Sequence, residues 1–177
     1  VSVAKKEGYT LELSSVDLIA TLAEGSFRDA LGILQKVIIS SSDKKVSVAE
    51  VEAVTGAPRE ELINTIIKSI DDKNLSAGLK AVSEATKQNT DMKVLLKLIL
   101  RKLRTVLLLR YATDLESALR EEYSEEDFSN LKKIAENKDS VINSKTLSRF
   151  LEAYEETRHS YVRELPLELA LIDLIKE

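Results

Sequence analysis

Cysteine is missing from this 177-residue sequence. That excludes a disulfide framework, an iron–sulfur cluster and a thiolate metal site, and it fits a reducing compartment. Glycine and proline are scarce, at five and two residues, which is too few turn formers for an all-β chain. A long uninterrupted apolar run is also missing. The most apolar segment, VLLKLILRKLRTVLLL from Val94 to Leu109, is broken by Lys97, Arg101, Lys102 and Arg104 and does not read as a membrane span. Neither sign of charge dominates: the net charge of −4 argues against a whole-surface nucleic-acid binder and leaves room for a local basic stripe. No signal peptide is visible and the first residue is Val1, so the sequence is expected to start inside a longer protein. What is abundant is Ala, Leu, Lys, Glu and Ile, the residues of helices. With 44% hydrophobic and 32% charged residues the chain can bury a core and keep a polar surface. Its length suits one large domain, or a small one joined to a larger.

The helical punctuation is clear along most of the chain. Residues 1–7 read as the end of a helix and Glu7–Glu12 as an extended link. Ser14, with Asp17 three residues on, predicts a helix start, with Val16, Ile19, Ala20 and Ala23 facing inward. Gly25 predicts its stop. Ser26, with Asp29 three residues on, predicts the next start, followed by an apolar stripe of Ala30, Leu31, Leu34, Val37 and Ile38. Ile39–Lys45, polar and poorly anchored, reads as a linker, and the boundary between two domains, 1–42 and 43–177, is placed there. Further on come a cap at Ser47 with Glu50, a break at Gly56–Pro58, and helices over Arg59–Asp71 and after Asn74. A long helix runs from Asp91 towards Glu116. Ser124 opens another helix that ends near Asn137, Ser144–Arg163 forms the next, and Pro166 sits in the first turn of a last one. No segment alternates convincingly enough for a strand, and no fixed repeat supports a solenoid. The expected fold class is all-α: a small helical fragment followed by a helical bundle.

The stretch Gly25-Ser26-Phe27-Arg28-Asp29 poses a chemical question. A helix N-terminus favours negative charge, so a cation in its first turn opposes the macrodipole. The planar fork of Arg28 suits a phosphate or carboxylate at that place, and Asp29 is positioned to cap Ser26 or to hold Arg28. A surface arginine at a helix start is the bland alternative.

Gly25-Ser26-Phe27-Arg28-Asp29-Ala30-Leu31, followed by Ile33, Leu34 and Gln35, resembles the sensor-2 segment of the AAA+ lid in the gamma/tau family of bacterial DNA polymerase III clamp-loader subunits. That family usually reads Gly-Ser-(Met or Leu)-Arg-Asp-Ala-Leu, so Phe27 departs at an apolar position. Related segments of archaeal and eukaryotic clamp loaders usually carry Asp in the place of Ser26, which points to the bacterial branch. Lys5–Ser26 is also similar to the family's lid. Ser47–Arg110 and Arg163–Leu174 resemble its helical collar. The resemblance implies a lid fragment over 1–42 and a collar, or oligomerisation domain, over 43–177. It implies that Arg28 senses nucleotide in the full-length parent, with Gly25, Ser26 and Asp29 shaping the motif. The phosphate loop ending in Gly-Lys-Ser/Thr and the acidic strand end of an ATPase core do not occur in this sequence. The expectation is therefore no ATPase activity and no cofactor for this chain alone, with ATP and Mg belonging to the parent, a clamp-loader ATPase of the DNA polymerase III holoenzyme. The implied partners are other clamp-loader subunits, with the sliding clamp and primer–template DNA reached through the assembly, no membrane, and a cytoplasmic location. The rival readings are a stand-alone helical adaptor and a nucleic-acid-binding helical domain.

Four other constellations carry residue chemistry. Lys93, Lys97, Arg101 and Arg104 share one helix face, a possible contact stripe for phosphates or an acidic neighbour, or simply a solvated face. No aromatic lies among them to stack on a base. The acids from Asp114 to Asp127 lack the alternation and glycine of a calcium loop and read as solvated helix ends, so no metal site is expected. His159 has no second histidine to pair with and reads as a surface residue. Phe150, Tyr154 and Tyr161 extend a stripe with Leu147 and Leu151, expected as core or as a seam with a neighbouring subunit.

Overall fold

The computed structural model describes residues 2–23, 25–41 and 43–176. These contain eleven α-helices and one pair of two-residue strands, so the chain is all-α. It divides into two compact units, Val1–Ala57 and Pro58–Glu177. The break follows the Gly56–Pro58 signal and not the Ile39–Lys45 link. Ser42, at the boundary read from sequence, lies outside the described residues.

The first unit runs α1 (Ser2–Lys6), β1 (Thr10–Leu11), α2 (Leu13–Ala23), α3 (Phe27–Ser40), β2 (Lys45–Val46) and α4 (Val48–Thr55). The strand pair is a correction to the strand-free reading. Thr10 pairs with Lys45 and Leu11 with Val46, in parallel. Parallel strands need a long crossover, and the α2–α3 hairpin supplies it. The pairing is too short to leave an alternating pattern in the sequence. Ala4, Ile19, Leu34, Val37, Val46 and Val51 form the core. Ser15 joins them: its buried hydroxyl donates to the Val46 carbonyl at 3.1 Å, which ties α2 to β2. Ser14 is not the cap expected of it, since α2 already begins at Leu13. Ser47 and Glu50 form the full reciprocal capping box of α4, and the Ser47 N–H holds the Glu50 carboxyl below its ordinary value. Gly56 closes α4 in the left-handed region at φ 68°, where a Cβ would be strained.

The second unit comprises α5 (Glu60–Asp71), α6 (Leu75–Lys87), α7 (Met92–Tyr111), α8 (Glu116–Arg120), α9 (Glu125–Glu136), α10 (Ser144–Glu156) and α11 (Leu165–Lys176), with one 3₁₀ turn over Thr113–Leu115. The helix starts read at Asn74, Asp91 and Ser124 are capped by those side chains, each accepting from a backbone N–H within the first turn; Asn143, just ahead of Ser144, caps α10 in the same way. α7 is the hub, packing against α5, α9 and α10, while α11 closes over α5, α6 and α10. Ile66, Ile70, Leu95, Ile99, Leu103, Phe150, Leu167 and Leu171 are fully buried. Two helices are shorter than expected. α7 stops at Tyr111 rather than running towards Glu116, and α10 stops at Glu156 rather than Arg163.

Gly78 marks the closest approach in this unit. A Cβ there would lie 2.6 Å from Ser69 Oγ on α5 and 3.3 Å from a Leu171 methyl on α11. Ser69 is buried and its hydroxyl is bonded back to Ile66 O at 2.7 Å, so it has little room to yield. Gly78→Ala is therefore expected to lower stability by about 1–2 kcal/mol, overpacking outweighing the gain in helix propensity. Adding Ser69→Ala should recover most of that loss. Urea denaturation of the two variants checks both statements.

Candidate functional site

Gly25 turns the chain between α2 and α3 at φ 80° with open space where a Cβ would stand, so it is needed for its backbone and not for packing. The Ser26 N–H closes back on Ala23 O at 2.8 Å. Ser26 Oγ then accepts from the Asp29 N–H at 3.2 Å and caps α3. The Asp29 side chain does not complete a reciprocal box. Arg28 is therefore the second residue of α3, in the first turn, beside an exposed Phe27. It is exposed and has no ion-pair partner among the described residues, Asp29 included. The sequence motif is thus assembled as local geometry: a glycine turn, a serine cap, and a cation held out at the electropositive end of a fourteen-residue helix.

The basic stripe is not a free face. Lys93 Nζ sits 5.4 Å from the centre of the Tyr154 ring on α10. Arg101 pairs with Glu122 at 3.0 Å and lies 5.7 Å from the Tyr123 ring. Lys97 is half-buried and Arg104 is exposed. Lys93 and Arg101 are thus engaged in packing within the unit. Arg28 belongs to the first unit and the stripe to the second.

The acids of 114–127 are largely engaged. Lys132 binds Glu116 at 2.6 Å, Arg120 binds Glu125 at 2.8 Å, and Arg101 takes Glu122. Asp127 corrects the reading of solvated helix ends: it is buried. Lys102, passed over in sequence as one charge in an apolar run, is buried against it. Its ammonium donates to Asp127 Oδ1 at 2.6 Å, to Asn64 Oδ1 at 2.8 Å and to Glu60 Oε1 at 3.0 Å, which uses all three of its N–H groups. Tyr123 hydrogen-bonds Thr105 at 2.9 Å, and burial pushes its phenol above the ordinary value. Among the aromatics, Phe150 is core and Tyr154 half-buried. Tyr161 lies beyond the end of α10 and is fully exposed, so it leaves the stripe expected of it. His159 is an exposed turn residue. Among the described residues no group of His, Asp or Glu is arranged to hold a metal ion, and no helix is long and apolar enough to cross a membrane.

The seven-helix second unit and the residues leading into it match one protein family. The family described as DNA polymerase III subunits gamma and tau domain III covers residues 46–177. The chain belongs to that family. The DNA polymerase III subunit tau of Bacillus subtilis (strain 168) is 32% identical over 129 residues, 73% of this chain and 23% of that protein. The chain thus spans about a quarter of the length of this relative. The Bacillus subtilis DNA clamp loader delta protein (YqeN) aligns with the whole of this chain and 54% of its own, at 17% identity and a TM-score of 0.47. The domain III match starts inside β2, before the units divide, and the Arg28 motif lies ahead of it.

Proposed function

We propose that this chain is the end of the lid and the collar of a gamma/tau clamp-loader subunit, and that its helical bundle holds such subunits together. The observation that carries the reading is the domain III match over 46–177, which takes in the whole of the folded unit built around α7. Other clamp-loader subunits are the direct partners, and the sliding clamp and primer–template DNA are reached through the assembly. ATP and Mg belong to an ATPase module of the parent protein. Arg28 is suited to meet that nucleotide. Its fork is exposed, at the electropositive tip of α3, and it would hold the terminal phosphate by charge-assisted hydrogen bonds. Nucleotide supplies the anion, and Arg28 passes its presence to α2 and α3 through the Gly25–Ser26 turn.

Arg28→Ala in the full-length parent tests this reading. Nucleotide-dependent clamp loading is expected to fall about a hundredfold or more, the scale seen when one preorganised donor is withdrawn from a developing negative charge. Assembly with the other subunits should be unchanged by gel filtration. Loading at the parental rate would refute the role given to Arg28. Direct nucleic-acid binding by the stripe has less support, because Lys93 and Arg101 are occupied by Tyr154 and Glu122.

A further inference from the structure

α7 carries six cations and no acid. Lys102 and Arg110 are bonded to α9, Lys93 lies over the Tyr154 ring and Arg101 takes Glu122. Arg104 is exposed and has no ion-pair partner among the described residues. Lys97, two turns nearer the start, is half-buried and adds positive charge at that end.

The neighbours of Arg104 on the helix surface are apolar. Leu100 lies four residues before it, Leu107 and Leu108 three and four after it, and Tyr111 seven after it. All five share one face, within about 100° of arc at 3.6 residues per turn. The three leucines are half-buried and Tyr111 is 75% exposed. Leu115, in the 3₁₀ turn that follows, is also exposed. The other side of α7, with Leu95, Ile99, Leu103 and Val106, is the one buried in the core. A single exposed tyrosine needs no explanation. A line of apolar side chains along roughly 17 Å of helix is the surface that a second helix covers.

The cation in the middle of that line defines the partner. A helix laid over it shuts the guanidinium away from water, which is costly unless a carboxylate meets it. We propose that the outer face of α7 from Leu100 to Tyr111 is a docking surface for an amphipathic helix that carries carboxylates beside its apolar stripe, with Arg104 as their contact. A phosphate backbone is a poorer match, since it draws on several cations in a row and Lys93 and Arg101 are already engaged. The surface stands on the geometry of α7 and does not depend on the role given to Arg28.

Fluorescence anisotropy on the full 177-residue chain tests it with two synthetic helical peptides. Both have the same leucine stripe; one has glutamates flanking it and the other lysines. The glutamate peptide is expected to bind, and the lysine peptide to bind about tenfold or more weakly. Arg104→Glu should reverse that order, which mere loss of fold cannot do. Tyr111→Asp should weaken the glutamate peptide about tenfold with helix content by circular dichroism unchanged, because both side chains are exposed. A glutamate peptide that does not bind, or an order of affinity that Arg104→Glu leaves as it was, would overturn the inference. Duplex DNA that competes with the peptide would overturn it in favour of nucleic acid. Self-association of the chain that Tyr111→Asp abolishes would overturn it in favour of a second copy.

Discussion

Lys102→Met should cost the second unit about 3–5 kcal/mol, because it strands the Asp127 carboxylate in the interior without its counter-ion. Lys102 and Asp127 are both nearly inaccessible, and the ammonium lies 2.6 Å from each carboxylate oxygen. Asp127 keeps its place in the first turn of α9, where the helix dipole offers some compensation; that favours the lower end of the range. For a unit of this size the loss corresponds to a melting point lower by roughly 10–20 °C. Lys102→Met combined with Asp127→Leu should recover much of the stability, since a buried pair exchanged whole for apolar side chains is close to neutral. Differential scanning calorimetry of the single and double variants decides the matter. A single variant that melts with the parent would mean that the pair is not desolvated as described.

Arg110→Ala is expected to cost about 2–4 kcal/mol by the loss of three charge-assisted hydrogen bonds at one point. From the last turn of α7 the guanidinium donates to Ile134 O at 3.0 Å, Ala135 O at 3.0 Å and Ile142 O at 2.6 Å. Ile134 and Ala135 are among the last four residues of α9, whose carbonyls have no partner within the helix. A cation there also answers the negative end of the dipole. Arg110 thus caps α9 from another helix and pins the link to α10 with the same group. Arg110→Lys keeps the charge but not the fork, and should recover less than half of the loss. Urea midpoints measure the cost, and faster exchange of amides over 137–143 would locate it. A lysine variant as stable as the parent would show that charge alone suffices.

Lys102 and Arg110 show where the sequence stops informing. Both lie in a run rich in Leu and Ile, and nothing in that run marks either as a buried anchor. Which of the six cations of α7 are taken inside depends on Glu60, Asn64, Asp127 and the end of α9. These residues are remote along the chain and meet α7 only after folding. The caps behave oppositely. Ser26, Ser47, Asn74, Asp91 and Ser124 act on N–H groups within three residues, so their chemistry is complete in a short window of sequence.

The same division explains the helix ends. Gly25 and Gly56 stop their helices at positive φ, and both stops are visible as residues. α7 ends at Tyr111 and α10 at Glu156 with no glycine or proline to mark either point. By itself the sequence determined the helical class, most of the starts, the glycine stops and the local shape of the Arg28 motif, because each depends on hydrogen bonds between near neighbours. The tertiary structure alone decided which of the two breaks, Ile39–Lys45 or Gly56–Pro58, parts the units, which charges are buried, and how β1 finds β2 across two helices. Those outcomes follow from desolvation and packing between distant segments, which no local pattern encodes.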